Sequence, residues 1–113
     1  MKVETRSSGS VHILDLQGKI CFGDGEQEVE KSIAGCLAQD HRNIVVNLTR
    51  VTLIDSAGLG QMMAGKKRGL DRKAELRLVI PKDSPIPLVC QTCLQLVFQV
   101  FDDELSAVGS FAK

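Results

Sequence analysis

The spacing of apolar residues changes several times along the chain, and each change marks an element. Val3 and Thr5, and again Val11 and Ile13, alternate with polar neighbours on either side of Ser7-Ser8-Gly9-Ser10. Alternation around a turn of this composition predicts a hairpin of two antiparallel strands, over residues 3–6 and 11–16. Leu14 and Leu16 fall out of phase with Ile13, which requires a bulge or a strand buried on both faces. Gly23 and Gly25 then make a loop, after which Val29, Ile33, Cys36 and Leu37 recur at helical spacing and predict a helix over 26–38. Ile44, Val45, Val46, Asn47 and Leu48 form a nearly continuous, β-branched apolar run, the pattern of a central strand covered on both faces. Beyond residues 51–54, Leu59, Met62, Met63, Lys66 and Leu70 keep a helical period, with Asp55 or Ser56 at the N-cap.

The second half repeats the scheme. Residues 76–80 read as a strand closed by Pro81, and Leu88, Val89, Cys93, Leu96 and Val97 as a helix whose start Pro87 suits. Residues 98–101 suit a short edge strand, and Asp102-Asp103 cap a last helix with Leu105, Val108 and Phe111 as its buried stripe. A hairpin followed by strands alternating with helices implies an α/β domain: a mixed sheet of about five strands, the later ones parallel, with about four helices. No linker, repeat or low-complexity tract divides the chain, so residues 1–113 are expected to form one domain.

Charge and cysteine usage narrow what such a domain does. Fourteen Lys and Arg balance fourteen Asp and Glu, so the basic excess that a phosphate backbone demands is missing and nucleic acid is not an expected partner. Apolar runs of no more than about four residues predict no membrane insertion. Met1 is followed by Lys2, Glu4 and Arg6 rather than an apolar signal stretch, so the expected address is the reducing cytoplasm. Cys21, Cys36, Cys90 and Cys93 are therefore read as thiols. Cys90 and Cys93 make a C-x-x-C, but late in the chain and in an apolar stretch, where small buried hydrophobes are the simpler reading. The basic residues Lys66, Lys67, Arg68, Arg72 and Lys73 read as a solvated helix face, and His12 and His41 have no companion ligand in the sequence.

The informative segment is Ile54-Asp55-Ser56-Ala57-Gly58-Leu59-Gly60, where a buried strand gives way to a helix. Two glycines in one helical turn cost about 1 kcal/mol each relative to Ala, and something must offset that loss. Either the pair makes a smooth docking surface beside the Ser56 hydroxyl, or it allows tight packing of helix on sheet behind an ordinary cap. Ser56-Ala57-Gly58 is half of a nucleophile elbow, but position 54 is Ile, and both histidines precede Ser56 where a hydrolase needs its His after it. A P-loop lacks its Gly-Lys-Ser/Thr ending, a dinucleotide fingerprint its third glycine, and a metal site its ligand spacing. No catalytic residue, metal or cofactor is expected. What remains for Ser56 is to be a substrate. A hydroxyl at a helix N-terminus is accessible to a protein kinase, and a phosphate there adds a charge of about −1.5 to −2 beside Asp55, against any partner that docks on the neutral patch.

Residues 51–60, Val-Thr-Leu-Ile-Asp-Ser-Ala-Gly-Leu-Gly, preceded by the strand at 44–48, resemble the signature of the STAS domain of bacterial anti-sigma factor antagonists. Gly18-Lys19-Ile20, the strand at 76–80, and residues 97–104 before the last helix are similar to that family too, so the resemblance covers nearly the whole chain. It implies a non-catalytic switch: the unphosphorylated antagonist binds a serine-kinase anti-sigma factor and frees a sigma factor, the kinase phosphorylates the serine with ATP, and a PP2C-type phosphatase restores it. Ser56 corresponds to the phosphoacceptor. Asp55, Ser56, Ala57, Gly58, Gly60 and Gln61, with Asp24 in the loop 21–25, would form the partner face. Weak self-association is compatible with the family. Cys21 stands where many relatives carry Asp, which leaves Asp24 as the nearest loop acid, and Asn47 stands where Asp is common. The alternative is the same domain as a constitutive interaction subunit of a stress-sensing assembly or a membrane transporter, with no phosphoswitch.

Overall fold

The computed structural model describes residues 1–111. Strands β1 (Lys2–Ser8) and β2 (Val11–Ile20) form the expected hairpin, longer than the alternation alone predicts, with Gly9 in the left-handed region at its turn. They are followed by α1 (Glu26–Ala38), β3 (Asn43–Ile54), α2 (Ser56–Asp71), β4 (Glu75–Val79), α3 (Leu88–Val97), β5 (Val100–Phe101) and α4 (Glu104–Gly109). The sheet order is β1-β2-β3-β4-β5, antiparallel between β1 and β2 and parallel thereafter, which puts β3 in the middle and β5 at an edge.

Both faces of the sheet are covered, and that explains the apolar runs. Even-numbered residues Leu14, Leu16, Ile44, Val46, Leu76 and Leu78 face the layer made by α1, α2 and α3. Val11, Ile13, Val45 and Val79 face the opposite way, where α4 adds Ala107 and Val108, and Phe111 packs just beyond its end. The phase change at Ile13/Leu14 is thus a strand buried on both sides, and β2 also shifts register against β3 between Asp15 and Gln17.

Three helix faces differ from expectation. In α3 the residues at helical spacing, Leu88, Val89, Leu96 and Val97, are exposed while Cys90 and Leu94 are buried, because the inner side of this helix is set by the bond from Cys90 to the Ile54 carbonyl. In α4, Leu105 is exposed and the fully buried residue is Ala107, because a six-residue helix reaches the sheet with one side only. In α2, Leu70 is exposed while Gly58, Met62, Gly65 and Gly69 form the buried side. Small residues there let α2 lie close to α1 and β4: a Cβ at Gly65 would stand 2.7 Å from Ile33 and one at Gly69 2.7 Å from Leu76. Met62 and Met63 pack in or against the core, as filler rather than surface.

Candidate functional site at the β3–α2 junction

The end of β3, the start of α2 and the loop after β2 meet around one carboxylate. Asp55 is the N-cap of α2, in extended conformation, so its side chain folds back over the first turn. Its Oδ1 accepts the Gly58 N–H at 2.9 Å and its Oδ2 accepts the Phe22 N–H at 3.0 Å. One residue therefore caps the helix and fastens the neighbouring loop. These two N–H donors, Gly58 first, hold the Asp55 carboxyl below its ordinary pKa. The Asp55 N–H donates to the Ile20 carbonyl at 3.3 Å, which ties the junction to the end of β2 as well.

The loop itself is a tight turn. Cys21 and Asp24 exchange backbone hydrogen bonds at 2.7 and 2.9 Å, Gly23 has φ 73°, and its N–H donates to Glu26 Oε1 at 3.1 Å. Phe22 at its tip is 81% exposed. From the other side Cys90, in the first turn of α3, donates its S–H to the Ile54 carbonyl at 3.1 Å. Burial pushes the Cys90 thiol pKa up, so this sulfur is a packed donor rather than a thiolate.

Ser56 is the first residue of α2 and is exposed, as are Gly60 and Asp24, while Ala57 and Gln61 are half-buried. Gly58 lies elsewhere. A Cβ on it would stand 1.9 Å from the Ile20 carbonyl oxygen, so this glycine is the point where α2 touches β2, and it is buried. Tight packing explains Gly58, whereas nothing lies within 4 Å of a Cβ at Gly60. The two glycines have different reasons to be there.

A family model for the STAS domain matches residues 2–107. The chain belongs to the STAS domain family. Among solved structures, this STAS domain is similar to a candidate anti-sigma factor antagonist from Thermotoga maritima, at 19% identity over 98% of this chain and 95% of that one, TM-score 0.84. It is also similar to the anti-sigma factor antagonist SpoIIAA in its unphosphorylated form, at 17% identity over 96% of each chain, TM-score 0.69. SpoIIAA is represented in its phosphorylated form too. A sulfate transporter family protein from Wolinella succinogenes matches at 20% identity over 89% of this chain and 84% of that one, TM-score 0.66. At these identities the likeness is one of fold. The chain spans 20% of the length of Mglu, which it matches at 28% identity over 72% of its own residues, TM-score 0.62. No curated protein sequence matches.

Outside the junction, the basic run of this STAS domain is largely paired: Lys66 with Glu75 and Arg68 with Glu30 at 3.0 Å, Lys67 with Asp71 at 3.4 Å and Arg72 with Asp40 at 3.6 Å. Asn47 faces α4, where its Nδ2 donates to Glu104 at 3.1 Å, on the side of the sheet away from Ser56. Arg6 bridges Asp15 and Glu104 on that same side, and this contact keeps the Glu104 carboxyl below its ordinary pKa. Sequence reasoning missed the pairing of His12 with His41, whose rings stack at 3.9 Å with an interplanar angle of 10°. Among the described residues no group of three or more His, Cys, Asp or Glu could hold a metal ion, and no helix is long and apolar enough to cross a membrane.

Proposed function

We propose that this STAS domain is an anti-sigma factor antagonist without catalysis of its own. In its unphosphorylated form it binds a serine-kinase anti-sigma factor and releases a sigma factor; phosphorylation of Ser56 with ATP ends the contact, and a PP2C-type phosphatase restores it. The observation that carries this reading is the exposed hydroxyl of Ser56 on a junction fixed from β2, β3 and the loop 21–25 at once. Asp24, Ser56, Ala57, Gly60 and Gln61 supply the partner face, with Asp55 and Gly58 shaping it from beneath. Because Asp55 already occupies the Gly58 N–H, a phosphate on Ser56 shares the helix N-terminus with a carboxylate and is directed outward. It changes what a partner meets, not how the domain packs. The likeness in fold to SpoIIAA, known in both phosphorylation states, supports the reading.

The test is a paired pull-down from lysate of the source organism with wild-type and Ser56→Asp baits, followed by incubation of the recovered partner with ATP. Recovery of an ATP-binding serine kinase by the wild type, its loss with Ser56→Asp, and phosphate on Ser56 are the expected results. The sulfate transporter family neighbour favours a second reading, a constitutive interaction subunit. Equal recovery of a transporter or scaffold protein by both baits would establish that reading instead.

A further inference from the structure

The side of the sheet that carries α4 is only partly covered. α4 packs chiefly on β3, β4 and β5, and the polar side chains of β1 and of the second half of β2 stand beside it rather than beneath it. There the ends of β2 and β3 and the start of β1 enclose a concavity of about 380 Å³, within the range of small-molecule sites. It lies away from Ser56 and shares no residue with the junction described above.

An irregularity in β3 builds one wall of it. Asp15 pairs with Asn47 and Gln17 with Arg50, so β3 takes three steps where β2 takes two. The extra residue is a bulge, and it reverses the side of the sheet to which the following residues point. In a regular strand Arg50 would face the helix layer as Leu48 does; instead Val51 does so, and Arg50 joins Asn47 at the concavity. Asn47 holds the bulge, its Oδ1 accepting the Thr49 N–H at 3.0 Å and the Thr49 hydroxyl at 2.5 Å. Register then sorts the charges into rows. Lys2, Gln17 and Arg50 stand side by side across β1, β2 and β3, and Glu4, Asp15 and Asn47 form the next row. Successive residues on one face of a strand are about 6.7 Å apart, so the concavity is cationic at one end and acidic at the other.

These charges are not consumed within the domain. Arg50 is exposed and makes no ion pair among the described residues, and Lys2 and Glu4 meet only each other, at 3.8 Å. Arg6 lies between Asp15 and Glu104, so two carboxylates share one guanidinium and the acidic end keeps an excess of negative charge. We infer that the concavity binds a small zwitterion whose opposite charges stand about 6–7 Å apart, as in a dipeptide. Its carboxylate sits over Gln17 between Lys2 and Arg50, and its ammonium against Glu4 and Asp15. Charge complementarity selects this class. An anion alone would meet Glu4 and Asp15 one row away, and a cation alone would meet Lys2 and Arg50, so only a ligand of both signs satisfies both rows. Ordinary surface charge on a sheet requires neither the bulge that turns Arg50 to this face nor the concavity beside it.

The experiment is amide correlation NMR of the full chain, titrated at low salt with glycylglycine and with two analogues that each carry one of its charges, N-acetylglycylglycine and glycylglycinamide. Glycylglycine is expected to shift the Gln17, Asn47, Thr49 and Arg50 amides with saturation at a Kd of about 1 mM, the strength of an open, polar site. Each single-charge analogue should bind at least tenfold more weakly. Arg50→Gln and Glu4→Gln should each weaken glycylglycine about tenfold while leaving the rest of the spectrum in place, and Lys67→Gln, which removes an exposed cation from α2, should bind as wild type does. Binding of N-acetylglycylglycine as tight as that of glycylglycine assigns the concavity to simple anions and overturns the inference. The absence of saturating shifts with all three compounds overturns it too, as does glycylglycine binding that neither Arg50→Gln nor Glu4→Gln weakens.

Discussion

Gly58→Ala and Gly60→Ala are the same substitution two residues apart on one helix, and the structure gives them opposite signs. In a helix interior, replacing Gly by Ala stabilises by about 1 kcal/mol when the methyl group has room. At Gly60 nothing lies within 4 Å, so the gain is realised. At Gly58 the new Cβ would sit 1.9 Å from the Ile20 carbonyl oxygen, 2.9 Å from its carbon and 3.0 Å from Ile20 Cγ2. Ordinary contact is about 3.5 Å, so the start of α2 and the end of β2 must separate by roughly 1.5 Å. Backbone cannot rotate away as a side chain does, and the 3.3 Å bond from the Asp55 N–H to the same carbonyl would be strained or lost. Overpacking of about 1–3 kcal/mol plus a hydrogen bond worth about 1 kcal/mol outweighs the helix gain, leaving a net loss of about 1–3 kcal/mol. At about 4–8 °C per kcal/mol for a domain near this size, Gly58→Ala is expected to lower Tm by roughly 5–20 °C, and Gly60→Ala to raise it by a few degrees. Thermal denaturation followed by circular dichroism, with urea unfolding as a check, reads both. A Gly58→Ala protein as stable as wild type would refute the close approach of α2 to β2 on which the geometry of the junction depends.

Other consequences follow from the same contacts. The Asp55 carboxyl has its pKa lowered by the N–H groups it accepts, so its contribution to stability is present above the ordinary carboxylate pKa and is lost as pH falls through the lower folded value. Asp55→Asn should therefore flatten the acid limb of the urea-unfolding free energy below about pH 4, and an unchanged slope would count against the bonds to Gly58 and Phe22. Burial, and then the neighbouring His41, lower the His12 pKa, so stability is expected to fall as pH drops below about 6.5. Histidine titration by NMR should show His12 moving up in His41→Asn, and no movement would contradict the stack. Burial pushes Cys36 to about 11 and also raises Cys90, so alkylation of the native protein should label these two only after unfolding. Labelling of all four thiols at one rate, followed by mass spectrometry, would contradict the packing.

Much of the fold is legible in the sequence because its cues are local. The helix at 26–38 is bounded by glycines before it and a polar turn after it, and the four residues of its apolar stripe, Val29, Ile33, Cys36 and Leu37, are all buried. The strand at 44–48 is central because Ile44, Val45, Val46 and Leu48, broken only by Asn47, leave it no side to turn to water. Its continuation through exposed Thr49 and Arg50 to Ile54 breaks the hydrophobic pattern, which is why two short segments stand where β3 is one long strand. In α4 the predicted stripe holds for Val108 and Phe111, which pack against the sheet, and fails only at Leu105, since fewer than two turns of helix do not define a face. At the junction, Asp55 and Ser56 are readable as a cap and an exposed hydroxyl. The reason for Gly58 is not, because the Ile20 carbonyl that requires it lies 38 residues earlier in the chain. The His12–His41 stack and the charge-free outer face of α3 likewise depend on which elements the sheet brings together.

On the proposed function, the charge on Ser56 decides whether the partner binds. The most direct measurement is titration of the recovered kinase with wild-type protein and with the same protein phosphorylated on Ser56, compared with their melting temperatures. The expected result is a loss of affinity of about a hundredfold or more on phosphorylation, with Tm changed by no more than a few degrees, as for a tolerated surface modification. Equal affinity of the two forms would contradict the claim, and so would a loss of binding that is matched by collapse of the fold.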